Sequence, residues 1–135
     1  MVMYCLDTNI VLDLFKGDEV VSLKVGNLEK EGEIYLTTIT LCEIYKGIYL
    51  YSEGVFREKE LEDLEHYLES VKIIDLDLES SREFGEMYSY LRKSGVMIPE
   101  PDLMIASIVK ANGVVLVTRD KRHFKGMKGV KVVEW

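Results

Sequence analysis

Proline, cysteine, histidine and tryptophan are all scarce in this 135-residue chain, which has two prolines, two cysteines, two histidines and one tryptophan. With so little proline, no Ser/Gly tract and no internal repeat, nothing marks a linker, so residues 1–135 are expected to form a single domain. Two cysteines are too few for a disulfide framework or a zinc cluster. Cys5 and Cys42 sit inside apolar patterns and are expected to be buried free thiols in a reducing compartment. No apolar run approaches the roughly 18 residues needed to span a membrane. No basic segment precedes the short apolar start, which argues against a signal peptide. A soluble, cytoplasmic domain with no membrane contact is the expectation. There is also no Gly-rich phosphate loop, no G-x-S-x-G elbow and no metal-spaced Cys/His cluster.

What the chain has is apolar residues and acid. It is 47% hydrophobic with a formal net charge of −7. That charge disfavours non-specific attraction to nucleic acid. The charge is unevenly placed, however. Twelve acidic residues face four basic ones between Glu53 and Glu86, whereas seven basic residues face Asp120 alone between Lys110 and Lys131. The acidic block reads as a solvated helix face. The basic tail is either a phosphate-facing edge or an exposed rim with no ligand.

Apolar periodicity alternates along the chain. "MYCLD" reads as a strand, followed by the helix "IVLDLFKG", for which Thr8 or Asn9 is the expected cap. Asp18 opens a second helix, and "EIYLTT" has strand composition. Thr40 is expected to cap "LCEIYKGIYLYSEG", a helix that is apolar nearly all round. "REKELEDLEHYLESV" presents Leu61, Leu64, Leu68 and Val71 as one stripe. "KIIDL" is a third strand, and the next helix turns Phe84, Met87, Tyr88 and Leu91 inward. Pro99 and Pro101 introduce "DLMIASIVKANG", closed by Gly113. "VVLVT" and "VKVVEW" are the last strands. Strands separated by 10–15-residue helical patterns predict an α/β protein with a mostly parallel sheet covered on both faces.

Four acids break these apolar patterns. Asp7 and Asp120 fall at the C-terminal ends of strands, while Glu43 and Asp102 fall in the first turns of apolar helices. In an open parallel sheet, strand C-termini and the following helix N-termini share the edge at which ligands bind. The four carboxylates are therefore predicted to meet there. Each has a structural alternative: Asp7 as a helix cap, Asp102 as a dipole partner, Asp120 as a turn residue. Glu43 resists one, because Leu41, Ile44, Tyr45, Ile48 and Tyr49 leave it little solvent face, and a buried carboxylate needs a partner. Clustered carboxylates are hard oxygen ligands suited to Mg²⁺ or Mn²⁺, and phosphodiester hydrolysis is the matching reaction. His66 is expected to face solvent. His123 is expected to be a packing or turn residue.

The segments "LDTNIVLDL", "TLCEIYKG", "PDLMIAS" and "GVVLVTRDKRHFKGMKGVKVVEW", in this order, resemble the PIN-domain ribonucleases, specifically the VapC-type toxins of toxin–antitoxin pairs. The resemblance covers essentially the whole chain. It implies a three-layer α/β/α sandwich, Mg²⁺- or Mn²⁺-dependent endoribonuclease activity on RNA, a homodimer and inhibition by a cognate antitoxin. Asp7, Glu43, Asp102 and Asp120 match the family's acidic quartet, and Thr118 matches a small hydroxyl residue beside the fourth acid. The resemblance implies that Asp7 and Asp102 hold the principal metal. Glu43 then assists as general base through a water, and Asp120 supports a second ion or orients water. The products expected are 5′-phosphate and 3′-hydroxyl ends. Arg119, Lys121 and Arg122 either guide the RNA backbone or form a solvated charge run. The Tyr-rich "EIYKGIYLYSEGVF" is either core packing or a partner surface. "IPEP" departs from the family's pattern and places Glu100 as a candidate fifth acid.

Two other readings compete. A catalytically silent metal-binding regulatory domain would keep the acids and leave RNA intact. A haloacid-dehalogenase-like phosphatase would need a second Asp two residues after Asp7, and that position is Asn9.

Overall fold

A computed structural model describes residues 1–135. The first strand, β1 (Val2–Leu6), leads into α1 (Thr8–Phe15) and α2 (Glu19–Glu31). Strand β2 (Gly32–Thr37) is followed by α3 (Thr38–Tyr51) and α4 (Gly54–Leu68), and β3 (Lys72–Ile74) by α5 (Leu78–Lys93) and α6 (Glu100–Asn112). The chain closes with β4 (Val115–Thr118), α7 (Lys121–Phe124) and β5 (Lys131–Glu134). All four strand pairings are parallel, in the order β3-β2-β1-β4-β5.

The alternation of side chains along β1 and β4 builds two cores, one on each face of the sheet. Leu6 and Val117 point to one face, where they meet Ile10 of α1, Val25 of α2, Ile44 of α3 and Leu64 of α4. Cys5 and Leu116 point to the other, against Met87 and Leu91 of α5 and Leu103 and Ile105 of α6. The result is the expected α/β/α sandwich. Burial on both faces explains why "VVLVT" shows no polar alternation.

The strand order determines where a ligand can bind. Strands β1 to β3 run outward in one direction from the middle, and β4 and β5 run in the other. The order therefore reverses between β1 and β4, and a crevice opens beyond their C-terminal ends.

Several local expectations change. Thr37, not Thr40, caps α3: it is extended at φ −90° and ψ 156°, and its hydroxyl accepts from the Thr40 amide. The helix thus starts earlier, and Glu43 falls in its second turn. Asp7 itself caps α1, in place of Thr8 or Asn9. Cys42 is exposed, unlike Cys5, because it lies on the outward side of α3. Helix α7 is new. Four residues are too short to show an apolar period, and α7 forms because Phe124 anchors it to the α6 side of the sheet. Gly113 closes α6 in the left-handed region at φ 64°, as expected. No helix is long and apolar enough to cross a membrane.

Candidate active site

Asp7 stands where β1 leaves the sheet. Its amide still pairs with the Val117 carbonyl at 2.9 Å, so it is fixed by the β1–β4 ladder. The residue is only 4% exposed. Oδ1 accepts from the Thr8 amide at 2.8 Å and Oδ2 accepts from the Thr118 hydroxyl at 2.7 Å. A cap normally accepts from the second or third helical amide. Here the first is used, and the second oxygen meets Thr118.

Burial pushes the Asp7 carboxyl above the usual aspartate value. The bonds from Thr118 and Thr8 oppose that rise, and the like charges of Asp102 and Glu43 reinforce it. A carboxyl under this pressure is one that a cation would relieve.

Thr118 reaches further. While donating to Asp7, its oxygen accepts from the Asp120 amide at 3.0 Å. One buried hydroxyl thus links the acids that follow β1 and β4. Glu43 reaches the same crevice from α3, where Oε1 accepts from the Thr8 hydroxyl at 2.6 Å. It is half-buried, less enclosed than its apolar neighbours implied, because Tyr49, Leu50 and Tyr51 of the same helix face outward. Asp102 arrives in the first turn of α6.

His123 joins the two remaining acids and does not act as packing. Its Nδ1 lies 2.6 Å from Asp102 Oδ2 and its Nε2 lies 3.2 Å from Asp120 Oδ2. Sequence reading missed this role, because the four-residue helix that aims the ring has no signature of its own. The only available signal was the spacing: His123 follows Asp120 by three residues, one helical turn. His66 is exposed, as expected.

Asp7, Glu43, Asp102, Asp120 and His123 all line one cleft of about 310 Å³, together with Lys46. Glu100 does not. It is the first residue of α6 and faces a separate apolar groove beside Val96, Met97 and Leu103. Glu100→Gln is accordingly expected to leave metal affinity unchanged in calorimetry. Arg119 pairs with Asp13 at 3.2 Å, and Arg122 lies 3.8 Å from Asp120. With Lys121 they line a polar recess beside the cleft.

The PIN-domain family model matches residues 4–129. The chain belongs to the PIN-domain family. Ribonuclease VapC2 of Haemophilus influenzae is 28% identical to this PIN domain over 135 residues, covering 100% of this chain and 99% of the relative. The tRNA(fMet)-specific endonuclease VapC of Shigella flexneri is 25% identical with the same coverage. The crystal structure of VapBC2 from Rickettsia felis, bound to a DNA fragment from its promoter, superposes with a TM-score of 0.89. It is 27% identical to this PIN domain and covers 99% of each chain. These end-to-end matches place the PIN domain among the VapC-type ribonucleases.

The family implies a divalent metal, and the donor set of this PIN domain suits one. The cleft presents hard carboxylate oxygens, and one of them is buried and crowded by like charge. As placed, no three of these side chains converge on a single point. His123 instead spans Asp102 and Asp120.

Proposed function

We propose that this single domain is a divalent-metal-dependent endoribonuclease, the toxin of a toxin–antitoxin pair. The observation that carries the reading is the arrival of Asp7, Glu43, Asp102 and Asp120, from four separate elements, in one cleft at the point where strand order reverses. Asp7 and Asp102 would hold the principal Mg²⁺ or Mn²⁺, with Glu43 and Asp120 completing the donor set. A divalent ion bound there supplies a more acidic water and offsets negative charge on phosphate.

The side chains supply the rest. Thr118 and the Thr8 amide favour the carboxylate form of Asp7 against its burial and fix its orientation at the cleft. Glu43, half-exposed, can accept a proton from the attacking water. His123 keeps Asp102 and Asp120 in register across α6 and α7. Lys121 and Arg122, both exposed beside Asp120, are placed to meet the RNA backbone.

The relatives' VapBC complexes support an antitoxin as partner, and the exposed apolar corner of Tyr49, Tyr51, Val55 and Phe56 suits a protein contact, either the antitoxin or a second copy. The test is to incubate purified, antitoxin-free protein with initiator tRNA and with total RNA in Mn²⁺ or Mg²⁺. Cleavage that leaves 5′-phosphate ends and stops with EDTA is expected. Cleavage that survives EDTA would overturn the metal-dependent reading. Metal binding without cleavage of any RNA would favour the silent regulatory domain.

A further inference from the structure

The hydrogen bonds around Glu43 single out a residue that neither the acidic quartet nor the hydroxyl beside Asp120 accounts for. Thr8 is the first residue of α1, and it touches two of the four acids at once. Its amide donates to Asp7 at 2.8 Å and its hydroxyl donates to Glu43 at 2.6 Å. Asp7 directly follows β1 and Glu43 lies in a helix 36 positions later, with no direct bond between them. Thr8 is the shared contact.

The direction of the hydroxyl is forced. A threonine hydroxyl has one proton. Thr8 Oγ1 lies 3.0 Å from Thr40 Oγ1 as well as 2.6 Å from the Glu43 carboxylate. A carboxylate can only accept, so the Thr8 proton goes to Glu43 and Thr40 must donate to Thr8. Thr40 is fully buried one turn before Glu43, and its own amide is held by Thr37. The chain of donors therefore runs from Thr40 through Thr8 to Glu43, and it starts in rigid core.

We propose that Thr8, oriented by Thr40, is a positioning residue that fixes Glu43 relative to Asp7 so that both carboxylates face one divalent ion. This rests on the metal-dependent reading above. The physical need is plain. Glu43 has three rotatable side-chain bonds and sits half-exposed, so without a fixed donor it samples rotamers and its share in the metal site weakens.

Three variants of the full chain test the proposal. Thr8→Val keeps the amide bond to Asp7 and the side-chain shape but removes the hydroxyl. Thr8→Ser keeps both donors. Thr40→Val leaves Thr8 intact and removes the donor behind it. The first readout is the set of side-chain scalar couplings of Glu43 by NMR in excess EDTA, which needs neither metal nor turnover. The second is Mn²⁺ binding by calorimetry.

In Thr8→Val the couplings are expected to collapse to rotamer-averaged values. Its Mn²⁺ affinity is expected to fall about 10- to 100-fold, the range typical for residues that orient a ligand. Thr8→Ser is expected to behave as wild type. Thr40→Val is expected to shift both readouts in the same direction by less, and it also serves if Thr8→Val folds poorly. Unchanged couplings and affinity in Thr8→Val, or a Thr8→Ser as impaired as Thr8→Val, would overturn the proposal. A wild-type protein that binds no Mn²⁺ overturns the metal-dependent reading instead, and the couplings then still decide whether Thr8 positions Glu43.

Discussion

Asp7→Asn is expected to lower RNA cleavage by about 1,000-fold and, in the same protein, to raise the thermal midpoint measured with EDTA at neutral pH. On the metal-dependent reading proposed above, Asp7 is a charged ligand, and its removal takes away most of a cation contribution of several kcal/mol to the transition state. About 4 kcal/mol corresponds to three powers of ten. The stability gain follows from the environment of Asp7. Burial first, then Asp102 and Glu43, hold its carboxyl above the ordinary aspartate value in the folded chain.

The folded state therefore binds that proton more tightly than the unfolded chain does. This contribution to stability is complete at acid pH, below the ordinary aspartate value, and is lost as pH rises through the raised native value. Above the ordinary aspartate value this linkage works against folding, because the unfolded chain gives up the proton more readily than the folded one, and a neutral amide has no such dependence. Thermal scans of the two proteins should thus converge in acid and separate toward neutrality, with the variant higher. Adding Mn²⁺ should stabilise only the wild type, by about 2.7 kcal/mol at 100 times its dissociation constant. An Asn variant that melts below the wild type at neutral pH would contradict this account of Asp7.

Leu116→Ala is expected to remove about 2–5 kcal/mol of stability, read as a lower urea midpoint. Leu116 is fully buried in β4, in the core formed with α5 and α6. The neighbouring strands β1 and β5 hold the backbone in register, so the site cannot collapse to fill the space left by the side chain. A domain of this size has about 5–15 kcal/mol in total, so the variant stands near the limit of folding. Leu23→Ala is the contrast. Leu23 is 68% exposed on α2, and its truncation is expected to stay within about 0.5 kcal/mol. If the two variants unfold at the same urea concentration, the assignment of the core to the two faces of the sheet is wrong.

Much of this architecture is local in origin and so is visible in the residue order. The strands read as short β-branched runs, and α6 reads from the prolines before it and Gly113 after it. Asp7, Glu43, Asp102 and Asp120 stood out because each interrupts an apolar pattern at an element boundary. Where reading failed, two signals competed or none existed. Thr37, Thr38 and Thr40 all have cap chemistry, and only the backbone angles select Thr37. Glu100 is an acid near Asp102, but two positions along a helix turn the side-chain direction by about 200°. Cys42 lies in an apolar run, yet the outward side of α3 carries exposed Tyr49 and Leu50 as well.

From residue order alone came the layered α/β class, the parallel sheet, the edge on which the acids lie and the identity of those acids. These depend on period and on position within single elements, which the chain carries along its length. Only the folded structure decided which groups hold the acids in place. Thr118 bonds Asp7 across 111 positions, Thr8 bonds Glu43 across 35 and His123 bonds Asp102 across 21. Such bonds depend on where the sheet brings separate elements together, because a hydrogen bond needs its atoms within about 3 Å. No pattern within one element records that distance.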